Sequence, residues 1–165
     1  MSQSNASPAL YLEDLSVGMR FRSGEFALDT AQIKAFANAF DPQPFHLDDA
    51  VAAAHPVFNG LSASGWHTAA ITMRLLTTGG LPLADGIIGA GAEITWPLPT
   101  RPGDALHVDS EIVDIKLSRS RPDRGIVSVR SETVNQHGDV VQRLVAKVLV
   151  RYRQAAGGAQ DRLVP

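Results

Sequence analysis

The chain has 165 residues, of which 44% are hydrophobic and 19% charged, and carries a formal net charge of -2 with a pI near 6.2. That length suits one domain with a core of its own. The absence of a basic excess removes the electrostatic footprint of a nucleic-acid binder. The absence of cysteine excludes disulfides and thiolate chemistry, so an oxidising compartment is not required and the cytoplasm is the expected location. No apolar run approaches the ~20 residues that span a bilayer, so no membrane partner is expected.

In chain order, residues 1–10 read as a flexible lead with no signal-peptide pattern. Tyr11 to Met19 is a lead-in segment turning at Gly18, and Arg20 to Leu28 alternates well enough for a first strand. Asp29-Thr30 offers an N-cap to a helix whose apolar face is Ile33, Phe36, Ala37 and Phe40. Asp41-Pro42-Gln43-Pro44 stops that helix. Leu47 to Ala54 is a short Ala-rich helical piece, and Pro56 to Ser64 a loop. Gly65 to Thr78 is the most apolar helix. Trp66, Ala69, Ala70, Met73 and Leu76 form one stripe and Ile71 and Leu75 widen it, which predicts burial nearly all round.

The second half changes character. Residues 87–96, 105–117, 125–134 and 140–152 read as strands separated by turns rich in Gly and Pro. Helices followed by a run of strands argue for an α+β domain over residues 11–152, with a curved antiparallel sheet around one helix. Residues 153–165 read as a flexible tail.

The segment that carries chemistry is Phe40 to His46 (FDPQPFH). A carboxylate and an imidazole lie five residues apart on a loop stiffened by two prolines, which holds both side chains at low entropic cost. Acid/base work on one water needs two such pre-positioned groups of different proton affinity. Read without further context, Asp41 bounds a helix and His46 opens the next.

Asp41-x-x-Pro44-x-His46, continued by Leu47-Asp48, resembles the motif of the MaoC-like dehydratases, which include the (R)-specific enoyl-CoA hydratases. Phe58-Asn59-Gly60, then Ser62 to Thr68 opening the apolar helix, and the turn Arg101-Pro102-Gly103-Asp104 extend the resemblance over residues 11–152. It implies a single hotdog domain, a long central helix wrapped by a curled antiparallel sheet. It implies reversible addition of water to a trans-2-enoyl thioester of coenzyme A or an acyl carrier, with no separate cofactor. Asp41 and His46 would hold the water, Asp41 taking its proton and His46 assisting and protonating the α-carbon. The Gly65 N–H, at a helix N-terminus, would stabilise the enolate oxygen. The resemblance further implies a homo-oligomer, at least a dimer.

The chain departs from the family pattern at three places. Gln43 replaces the usual Asn, Ser64-Gly65-Trp66 replaces His-Gly-Met, and Thr72-Met73 stands near a helix serine found in some members. Gln43, Ser64 and Trp66 are therefore taken as substrate-binding positions. Arg119, Arg121 and Arg124 crowd one hairpin turn and are candidates for the phosphates of coenzyme A, the alternative being a solvated tip. His67 reads as a structural or pocket-lining residue, and His55, His107 and His137 as solvated. No histidine pair has metal-ligand spacing, so no metal is expected. Other readings of the same resemblance are a hotdog thioesterase and a non-catalytic acyl-binding or partner subunit.

Overall fold

The computed structural model describes residues 9–154. Two short strands, β1 (Arg20–Arg22) and β2 (Phe26–Ala27), precede helix α1 (Thr30–Phe40), the single turn α2 (Pro44–Leu47), α3 (Asp49–Ala54) and the central helix α4 (Gly65–Leu75). Four long strands follow: β3 (Ile88–Thr95), β4 (Ala105–Leu117), β5 (Arg124–Val134) and β6 (Val140–Arg151). The expected single strand over 20–28 is interrupted at Ser23. Its N–H bonds to Val108 O, and its hydroxyl accepts from Val108 N and donates to Gly24 O, so the chain steps between β1 and β2 along the same partner strand.

The sheet is antiparallel in the order β1-β4-β5-β6-β3, with β2 also on β4. It curls around α4 without closing. This is the hotdog arrangement that the resemblance implies. The inward residues of the strands alternate with outward ones, as a sheet with one covered face requires. Leu106, Val108 and Ile112 of β4, Val127 and Val129 of β5 and Leu144 and Val148 of β6 pack with Ile71 and Leu75 of α4 in one core. A bulge between Gly89 and Gly91, the latter at φ +156°, bends β3.

Burial of α4 is one-sided. His67, Thr68, Ile71, Thr72 and Leu75 face inward, while Trp66 is 61% and Met73 45% exposed. Of the stripe expected to be buried, Trp66, Ala70 and Met73 point outward, Ala69 is half-buried and Leu76 is buried. The helix period carries both faces, and its apolar residues are spread around them, so composition does not say which face the sheet takes. The ends differ from expectation too. Leu10 N–H bonds to Pro82 O, and the Arg153 guanidinium reaches Asp14 and lies over the Tyr11 ring, so both are tied to the domain. The rest of the expected lead and tail, 1–8 and 155–165, lies outside the described residues.

Candidate active site

The site is assembled around a chain reversal at residues 41–46. Asp29 and Gln32 cap each other at the start of α1, each side chain accepting from or returning to the other's backbone at 2.8 Å. α1 then runs to Asp41, whose N–H still bonds to Ala37 O. Pro42 breaks the ladder. Pro44 opens α2 at the first helical position, where a missing N–H costs nothing. His46 therefore stands in a helical turn rather than in the expected loop, and it is buried.

His46 Nδ1 lies 2.7 Å from Ser62 O. A carbonyl only accepts, so Nδ1 carries the hydrogen, and in the neutral ring Nε2 holds a lone pair. Nε2 faces Asp41 Oδ2 at 3.6 Å. The other carboxylate oxygen accepts from Gln43 Nε2 at 2.7 Å. The Ser64 hydroxyl beside Asp41 favours the carboxylate by more than burial disfavours it. With help from Gln43 and from the charge His46 carries when protonated, it holds the carboxyl below its ordinary value. Ser64 is also the N-cap of α4, accepting from Trp66 N at 3.2 Å, so Asp41 faces the positive end of that helix. The outcome is two proton acceptors converging within reach of one water.

His46 opens onto a cavity of ≈ 290 Å³ lined also by Phe58, Ala63, Gly65, Thr68 and Trp96, with Pro97 to Thr100 as its outer wall. Thr68 and Thr100 share a buried hydroxyl bond of 2.9 Å that ties that wall to α4. Arg101 fixes the opposite loop. Its guanidinium donates to Phe58 O, to Gly60 O at 2.8 Å and to Leu61 O at 3.2 Å, the carbonyls just before Ser62. The loop that leads into the His46-orienting carbonyl of Ser62 is thus held by an arginine far along the chain.

The structure brings Asp41, Gln43, His46, Ser64 and Gly65 together. It changes the role of two of them. Gln43 donates to Asp41 and the Ser64 hydroxyl favours its ionised form, so both act on the carboxylate. Gly65 is also needed for packing: a Cβ there would stand 2.7 to 3.0 Å from the Trp96 indole. Trp66 is not in the cleft. It points outward, edge-on to Trp96 with ring centroids 5.5 Å apart. Arg119, Arg121 and Arg124 sit at or beside the β4–β5 hairpin tip. The cleft adjoins the other end of the same strands, where Val108 pairs with Thr133 and Thr133 with Gln142. Nine residues of β4, about 30 Å along the strand, separate Val108 from Leu117. Arg124 is engaged by Asp123 at 2.7 Å. His67 stacks on Phe36 at 4.5 Å, and burial pushes its imidazole below the ordinary value, toward the neutral form.

Trp96, Arg101, Thr100 and Gln142 did not emerge from the sequence as functional positions. Each meets its partner 32 to 70 residues away, which no local spacing reveals. The Pro-rich turn 97–104, with the family-like Arg101 to Asp104 in it, was the available signal.

Residues 15–135 match the family model for the MaoC-like domain. The chain belongs to the MaoC-like family. A crystal structure of the MaoC-like dehydratase from Rhodospirillum rubrum is 62% identical, with a TM-score of 0.87, and the match covers 89% of this chain and all of that one. The uncharacterized protein YdeM of Bacillus subtilis is 34% identical over 128 residues, 76% of this chain and 87% of that protein. The mesaconyl-CoA hydratase of Cereibacter sphaeroides is 38% identical over 74 residues, 45% of this chain but 21% of that protein.

Proposed function

We propose that this chain adds water reversibly to a trans-2-enoyl thioester, giving a 3-hydroxyacyl thioester. The observation that carries this reading is the pair of acceptors, Asp41 Oδ2 and His46 Nε2, 3.6 Å apart beside a largely apolar cleft. Membership of the MaoC-like family and the likeness to a CoA-thioester hydratase support it.

A water between the two donates one hydrogen to each and keeps its oxygen lone pair for C3 of the enoyl group. Because Ser62 O holds the hydrogen on Nδ1, His46 begins as an acceptor. The proton that reaches C2 is therefore one the pair has first taken from the water. Water adds across the double bond and both side chains end as they began. Charge builds on the thioester oxygen in between. The first turn of α4 offers it the Gly65 N–H as a donor and a positive dipole end. No cofactor takes part.

The assembly proposed is a homo-oligomer. β3 is an edge strand, paired with β6 on one side only and exposed at every residue but Ile94, with Val145 exposed beside it on β6, and such an edge invites a second copy.

A panel of short, long and branched trans-2-enoyl-CoA thioesters, followed by loss of the conjugated absorbance, tests the reaction. Hydration of any member supports it. Release of free coenzyme A without hydration would replace it with thioester hydrolysis.

A further inference from the structure

A second apolar cavity runs along α4 beyond the cleft. It is a groove of ≈ 360 Å³ lined by Ala69 and Met73 of α4, Ile94 of β3, and Gln142, Leu144 and Ala146 of β6, among others. The cleft and the groove share one helix: Gly65 and Thr68 line the first, and Ala69, one turn after Gly65, lines the second. A hydrogen-bonded pair joins the two linings. Trp96 lines the cleft, Gln142 lines the groove, and Trp96 Nε1 donates to Gln142 Oε1 at 2.9 Å.

That pair is anchored on both sides. The Trp96 ring lies against Gly65 so closely that no side chain fits there. Gln142 is 1% exposed and its Nε2 donates to Thr72 Oγ1 at 3.0 Å. Thr72 in turn shares a 2.6 Å hydroxyl bond with fully buried Thr133 and bonds to Thr68 O at 2.9 Å. A glutamine placed in an apolar interior without partners would be costly. Here both its amide oxygen and its amide nitrogen are used, and what the oxygen does is hold the indole.

We infer that Trp96, latched by Gln142, is the partition that sets the length of acyl group this protein accepts. Closed against Gly65, the indole ends the cleft and confines the acyl group to a few carbons. The groove behind it is the room that a longer chain would occupy if the partition were removed. This rests on the thioester reading of the cleft, and it makes Trp96 a determinant of specificity rather than of the chemical step.

The test is the affinity of wild type and Trp96→Ala for a ladder of saturated acyl-CoA thioesters of increasing length, measured by calorimetry without turnover. The expected wild-type profile levels off after the short members. In Trp96→Ala it should keep rising, by about four-fold per methylene that enters the groove. Gln142→Leu, which frees the indole without deleting it, should give an intermediate profile and serves if the alanine variant folds poorly. Parallel profiles in all three proteins, or none with measurable affinity, would overturn the inference. An extended profile in a protein that hydrates no enoyl thioester would leave the partition standing and remove the hydratase reading instead, so the two ideas fail separately.

Discussion

The two ends of the long strands are built on different principles. At the cleft end a set of buried polar side chains is joined together: Thr68 with Thr100, Gln142 with Thr72, and Thr72 with Thr133, with Gln142 also holding the partly exposed Trp96. At the hairpin end the charged groups lie on the surface. Arg124 meets Asp123 and Arg151 meets Asp85, each at about 2.8 Å, with water at hand. A buried group stripped of its partner costs roughly 1–3 kcal/mol, whereas an exposed ion pair contributes about 0–1. The first end therefore fixes geometry and the second tolerates change. Chemistry that needs atoms held within tenths of an ångström belongs at the first.

The largest expected effect breaks the cleft end at its reacting atoms. Asp41→Asn keeps the shape and removes one acceptor of the water. Hydration should fall by about 10²-fold or more, with thioester affinity kept. A loss of less than about ten-fold would take Asp41 out of the acid/base role. Next is Arg101→Met, which leaves three loop carbonyls without their donor. Stability should fall by about 2–3 kcal/mol, read as a lower urea midpoint at unchanged slope. The turnover number should fall more than the Michaelis constant rises, because the loop leading into the His46-orienting carbonyl of Ser62 is freed. Unaltered turnover in a destabilised variant would show that the loop keeps its place unaided.

Ser64→Ala sharpens the comparison through pH. Asp41 titrates below its unfolded value of about 3.9 because the Ser64 hydroxyl favours the carboxylate. The stability this provides is present above that unfolded value and is lost as pH falls through the depressed folded one. Without the hydroxyl the acid limb of the rate profile should move up toward the ordinary carboxylate range. Loss of the helix cap should cost about 1 kcal/mol as well. An acid limb that stays put would assign the depression to Gln43 and His46. The smallest effect belongs to the hairpin end. Reversing Arg119, Arg121 and Arg124 together to Glu should change the Michaelis constant for a CoA thioester by no more than about two-fold, since surface substitutions stay near ±0.5 kcal/mol. A several-fold rise that salt abolishes would return the three arginines to phosphate recognition.

Most of the scaffold could be read from the chain. The four long strands begin and end within one or two residues of their alternating patterns, and the capping box at Asp29 marks α1. Those signals are local. Asp41 and His46 were legible because Pro42 and Pro44 announce a chain reversal between two titratable groups. The orientation of α4 was not, since its apolar residues surround it and the sheet decides which face is covered. Trp66, expected in the pocket, is on the other side for that reason. Trp96, Arg101 and Gln142 were illegible for a different one. An isolated Trp, Arg or Gln in a strand or turn has no spacing that names its partner, and their partners are a helix start, a loop and a threonine far along the chain.

Arg101 also bears on the order in which the protein takes shape. During synthesis the segment 41–46 and the Ser62 loop are made well before residue 101, and before β5 and β6 exist to supply Thr133 and Gln142. Contacts this distant in sequence close late, because the intervening chain must first be ordered. The acid/base pair therefore settles only after residue 101 has been made and has closed on its loop. A newly made chain whose core has formed can remain without its working geometry until that one guanidinium finds three carbonyls.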